Sequence, residues 1–107
     1  VGTNAAGNAV IANGVHGIAL ANGASGNTIG LVGAGNVIAG NAQSGIFITG
    51  NSDNNIIRAN LIGTDAGGTL ALGNLNHGIR IDGAATAATS PTGTIIGGEG
   101  AGEGNLI

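Results

Sequence analysis

The phrase Gly-Ile-x-Ile, or a close variant, occurs three times in this chain. It appears as Gly17-Ile18-Ala19-Leu20, Gly45-Ile46-Phe47-Ile48 and Gly78-Ile79-Arg80-Ile81. Asn-x-Ile units lie between and after these phrases: Asn27-Thr28-Ile29, Asn36-Val37-Ile38, Asn55-Ile56-Ile57, Asn60-Leu61-Ile62 and Asn105-Leu106-Ile107. One short strand repeated, with glycine and asparagine at every corner, predicts a chain stacked upon itself rather than a globule of unlike elements.

Within each Gly-Ile-x-Ile phrase the apolar residues alternate. Ile18 and Leu20, Ile46 and Ile48, and Ile79 and Ile81 share one face, while Ala19, Phe47 and Arg80 take the other. No 3.6-residue stripe is present, and frequent glycine and β-branched residues oppose helix. The chain has a single Phe and no Trp, Tyr, Met or Cys. Ile, Leu, Val and Ala must therefore fill the interior alone, which suits thin coils. The 24 glycines are compatible with order because the isoleucines recur in register.

A shift of 61 positions lays the first part of the chain on the second. Val1-Gly2-Thr3-Asn4 falls on Ile62-Gly63-Thr64-Asp65, Asn13 on Asn74, and His16-Gly17-Ile18 on His77-Gly78-Ile79. After a longer loop from Ala84 to Thr92, which holds Pro91, the match resumes up to Ile107. Two long copies, residues 1–38 and 62–107, thus flank a short coil at 39–61 within one domain spanning 1–107. Each coil carries a first, a second and a third strand. Parallel stacking places like strands about 4.8 Å apart. Glycine and asparagine tolerate the positive φ of tight corners. Asn27 with Asn55, and Asn36 with Asn60 and Asn105, are placed to form amide ladders.

These runs resemble a known family. Gly-Asn-x-Ile, Ile62-Gly63-Thr64-Asp65-Ala66-Gly67-Gly68 and His/Ser-Gly-Ile-x-Ile look like the right-handed parallel β-helix repeats of large secreted or surface-displayed bacterial proteins. The resemblance covers nearly the whole chain. It implies an all-β, single-stranded, right-handed parallel β-helix of three to four coils with three short strands each. It speaks to fold more than to activity, since such repeats occur in stalks, filaments and carbohydrate-active enzymes.

Val1 aligns with Ile62 and Ile107, so both ends fall inside a third strand, and the expectation is a segment uncapped at both ends. Val1, Gly2 and Thr3 at one end, and Asn105, Leu106 and Ile107 at the other, are the expected self-association edges. Two explanations remain open: flanking coils of a longer chain, or copies of this chain stacked head to tail.

The chemistry-bearing residues are few. Net charge is −3 with Arg58 and Arg80 as the strong bases, which disfavours a nucleic-acid partner. No apolar run is long enough to span a bilayer. His16 and His77 are equivalent with Ser44 between them, and read as polar strand-entry residues rather than metal ligands. Arg80 and Asp82 read as a local surface pair. Asp65, like its counterpart Asn4, reads as a turn-former that bonds its own backbone. Gly97–Gly102 lacks the Gly-Lys-Ser/Thr of a nucleotide loop. Phe47 faces outward, either as a lateral contact or under the Arg80 stem. The expected function is therefore a secreted or cell-surface rod segment or filament subunit, not an enzyme, with no cofactor or metal. A fragment of a carbohydrate-active or carbohydrate-binding protein is the alternative. Ice binding lacks its flat Thr/Asn array at Ala19, Phe47 and Arg80.

Overall fold

The computed structural model describes residues 1–84 and 86–107. Eight short strands follow one another: β1 (Ile18–Leu20), β2 (Thr28–Ile29), β3 (Val37–Ile38), β4 (Ile46–Ile48), β5 (Ile56–Ile57), β6 (Leu61–Ile62), β7 (Ile79–Ile81) and β8 (Ile95–Ile96). Among the described residues one 3₁₀ turn, Ala87–Thr89, lies in the long loop before β8. The protein is all-β, with almost no helix.

Each sheet gathers strands that carry the same phrase. The first sheet is β1-β4-β7, the second β2-β5-β8 and the third β3-β6, all pairs parallel. The register is like over like. Ile18, Ile46 and Ile79 fall in one file, as do Leu20, Ile48 and Ile81, and Ala19, Phe47 and Arg80. Ile29, Ile57 and Ile96 form the matching file of the second sheet. A parallel bridge from Leu61 to Leu106 extends the third sheet by one step. Its opposite end receives Val1, whose carbonyl accepts from the Ala39 amide at 3.0 Å.

The core is a single cluster formed by Ile29, Ile38, Ile46, Ile48, Ile57 and Ile62, with Ile18, Leu20 and Ile79 packed against it. Four of the six come from the short coil taken together with Ile62, the residue that closes its third strand. Full burial of such a side chain contributes about 1.5–3 kcal/mol, so the short coil supplies most of the apolar stabilisation. The molecule measures 40 × 33 × 16 Å. Its thin dimension matches three to four strand spacings of about 4.8 Å.

The 61-residue repeat is also visible in the excursions from the sheets. Thr3 bridges Val10 antiparallel, and Thr64 bridges Ala71 in the same way. The two lobes lean together beside the short coil, which has no lobe of its own. The Ala66 amide donates to the Gly7 carbonyl at 2.8 Å. Gly7 is the position that allows this approach, because a Cβ there would meet the Ala66 methyl at 2.7 Å.

Candidate functional site

Small carboxamides sit where the chain turns into each strand, and the parallel register brings them together. Asn27 donates its amide N–H and Nδ2 to Asn55 Oδ1 at 2.8 and 3.1 Å. Asn36 donates in the same two ways to Asn60 Oδ1, and Asn60 to Asn105 Oδ1, all at 3.0 Å. Asn60 and Asn55 are fully buried. Asn60 Nδ2 also donates to the carbonyls of Ile29 and Arg58, and Asn55 Nδ2 to those of Ala24 and Ser52. A buried carboxamide thus satisfies the corner carbonyls of Arg58, Ala24 and Ser52, each of which would cost about 1–3 kcal/mol unpaired, and adds a second bond to the Ile29 carbonyl, which also accepts from the Arg58 amide.

A third row was not anticipated as a ladder. Asn13 Nδ2 donates to Asn41 Oδ1 at 2.8 Å, and Asn41 donates through its amide and Nδ2 to Asn74 Oδ1 at 3.0 and 2.8 Å. The match of Asn13 to Asn74 was visible in the sequence. Asn41 escaped because it follows Gly40 outside any Asn-x-Ile unit. The second row ends differently. Thr94 stands where Asn27 and Asn55 have an amide, and its Oγ1 is buried without a partner.

The expected edges differ from one another. Ile107 is 64% exposed, while Asn105 and Leu106 are joined to the stack through Asn60, Leu61, the Ile62 amide and the Ile57 carbonyl. At the other end Val1 is exposed, but Gly2 is buried against Ala39 and Asn41 with no room for a side chain. Thr3 is taken up by its own lobe through Val10.

Charged groups are engaged locally. Arg80 grips Asp82 with Nε and Nη2 at 2.8 and 2.7 Å, as the two-residue spacing implied. That carboxylate, by hydrogen bond and charge, holds the guanidinium above its ordinary pKa. Arg58 pairs with Glu103 at 2.8 Å, a contact the sequence did not reveal because it spans coils of unequal length. Glu103 also accepts from the Gly100 amide. Asp53 accepts from the amide and hydroxyl of Thr92. Asp65 Oδ1 accepts from the Thr69 and Leu70 amides at 2.9 and 3.0 Å. These bonds, Leu70 first and then Thr69, hold its carboxyl below the ordinary value. Asn4 accepts from the amides of Asn8 and Ala9 in the equivalent lobe, so the turn-forming reading holds at both positions.

On the outer side of the first sheet, His16 stacks on Phe47 with centroids 4.4 Å apart, and the Arg80 guanidinium lies 5.5 Å from the same ring. Phe47 is therefore occupied on both sides, under Arg80 and against His16. His16 Nδ1 accepts from the Ser44 amide at 3.2 Å, the strand-entry role expected of it. Among the described residues no group of three or more His, Cys, Asp or Glu is placed to hold a metal ion, and no helix is long and apolar enough to cross a membrane. A shallow surface hollow is lined by Thr28, Gly30, Leu31, Ala34 and Asn36.

No known protein family, curated protein or solved structure matches this chain. The class the geometry defines is therefore stated from the fold alone: an all-β protein of three parallel sheets built from short, like-over-like strands.

Proposed function

We propose that the chain is a segment of a right-handed parallel β-helix with a structural task, a rod whose end faces take further coils. The hand follows the strong preference of parallel crossover connections. The observation that carries the reading is a gradient along each isoleucine file. Ile48, Ile57 and Ile62 in the short coil are 0%, 0% and 1% exposed, while Ile81, Ile96 and Ile107 in the same files are 41%, 48% and 64% exposed. In the first coil Ile29 and Ile38 stay 8% and 0% exposed, so the exposure is concentrated on the last-coil face. The likeness of the repeats to those of exported bacterial proteins supports a secreted or cell-surface setting.

Register supplies the test. Ile107 and Ile38 both close a long coil, so residues 39–107 appended after Ile107 repeat the native Ile38–Ala39 junction. X-ray scattering should show growth along one axis by two strand spacings, about 10 Å, at constant cross-section, with a higher unfolding midpoint. Growth in all directions, or no gain in midpoint, removes the rod. Saturable binding to an acidic or neutral polysaccharide would favour the carbohydrate reading instead.

A further inference from the structure

Thr94 interrupts a hydrogen-bond pattern that the other asparagine corners share. In that pattern the backbone amide of one asparagine donates to the carboxamide oxygen of the asparagine one coil later. Asn27 donates to Asn55 at 2.8 Å in this way, and Asn36 to Asn60, Asn41 to Asn74 and Asn60 to Asn105 at 3.0 Å. The register of β5 and β8 puts Thr94 in the corresponding place beside Asn55. Its Oγ1 hangs directly on Cβ, one bond short of where a carboxamide oxygen sits, and it is buried without a partner. The Asn55 amide likewise donates to no group among the described residues, although Asn55 is 0% exposed.

The coils have not parted here. One residue earlier the Asn54 amide reaches the Thr92 carbonyl at 2.8 Å, and one residue later the Ile95 amide reaches the Asn55 carbonyl at 2.9 Å. An amide donor and a hydroxyl are thus enclosed together inside the stack. Ser52 Oγ, on the same corner, is also buried without a partner. Enclosed polar groups of this kind are where folded proteins hold internal water, each molecule with about two to four polar partners.

We infer that the rung between Asn55 and Thr94 is a binding site for one ordered water, which stands where the other rungs place a carboxamide oxygen. The water accepts from the Asn55 amide and bonds to the Thr94 hydroxyl, which can donate or accept. The amide donor turns away a cation. The site depends on the β5–β8 register and not on what flanks the chain, so it stands apart from the rod reading.

Substitution at Thr94 gives opposite signs for a wet and a dry rung. Thr94→Val removes the hydroxyl at nearly constant volume. In a wet rung it strips the water of a partner, and the urea midpoint should fall. In a dry rung it deletes a buried unpaired hydroxyl, and the midpoint should rise or stay unchanged. Thr94→Asn supplies the carboxamide oxygen directly and should raise the midpoint, because the bond no longer requires a water to be immobilised. Circular dichroism checks that each variant is folded. Magnetic relaxation dispersion of the water oxygen counts the molecules held long inside the protein, and wild type should hold one more than Thr94→Asn. An equal count in the two proteins, or a Thr94→Val variant at least as stable as wild type, would overturn the site while leaving the strand register intact.

Discussion

The short coil, taken through Ile62 at the end of β6, and the last coil that follows it carry matching strands and are packed very differently. Ile46 and Ile48 of β4 are fully buried, whereas Ile81 of β7 is 41% exposed although it sits in the file of Ile48. The short coil has the fewest residues and the most buried core. Its burial reflects its position between the first and last coils, and Ile29 and Ile38 of the first coil are nearly as buried. The difference teaches that burial in this molecule is a property of neighbours and only secondarily of sequence.

Substitutions at matched positions should expose this most strongly in the asparagine rows. Asn60→Ala removes the partner of the Arg58 carbonyl and of the Asn36 amide, while the Ile29 carbonyl keeps the Arg58 amide. At about 1–3 kcal/mol for each of these two orphaned groups, we expect a loss of about 2–6 kcal/mol in urea unfolding, a large share of the roughly 5–15 kcal/mol that holds a domain folded. Asn105→Ala, at the open end of the same row, orphans only the Asn60 amide, because the Ile57 carbonyl keeps the Gly97 amide, and should cost about half as much, about 1–3 kcal/mol. Equal losses would break the comparison.

Isoleucine truncation comes next. Ile48→Ala should cost about 2–5 kcal/mol, the range for a fully buried aliphatic side chain. Ile81→Ala should cost less than about 1.5 kcal/mol, since much of its surface already meets water. Thermal or urea midpoints of the two variants sharpen the contrast directly.

A pair of glycines separates close approach from backbone conformation. Gly30 and Gly97 flank Arg58 in one file, with φ of 87° and 92°. A Cβ at Gly30 would press on the Arg58 carbonyl and the Asn60 carboxamide, while a Cβ at Gly97 meets nothing within 4 Å. Gly97→Ala should therefore carry only the left-handed penalty of about 1–2 kcal/mol. Gly30→Ala should cost clearly more, and an equal cost in chemical denaturation would show that the corner can yield.

The smallest effect concerns the two lobes. Asp65 and Asn4 hold equivalent turns, but only Asp65 titrates. Its carboxyl is held below the ordinary value in the folded state, so its contribution is complete above the unfolded carboxyl pKa, near 3.9. It is lost as pH falls through the lower folded value. Acid unfolding of Asp65→Asn should therefore show a shallower loss of stability below about pH 4, with little change at pH 7.

Much of the fold was legible because identical phrases must pair when stacked in parallel. The three Gly-Ile-x-Ile phrases mark β1, β4 and β7, and the Asn-x-Ile units located most of the second and third sheets. The Asn36–Asn60–Asn105 row and the Arg80–Asp82 pair also follow from spacing alone. The Arg58–Glu103 pair and the Asn41 rung were hidden because they join coils of different length, where a fixed shift no longer aligns positions. The leaning together of the lobes through Gly7 and Ala66 was hidden for a further reason: it depends on the short coil having no lobe to keep them apart.

The most direct test of like-on-like stacking is a methyl NOESY spectrum of isoleucine-labelled protein. Ile46 lies between Ile18 and Ile79, so its methyl groups should show contacts to both. Ile18 and Ile79, about two strand spacings apart, should show none to each other. Direct Ile18–Ile79 contacts, or an Ile46 that touches neither, would contradict the vertical file on which the proposed rod depends.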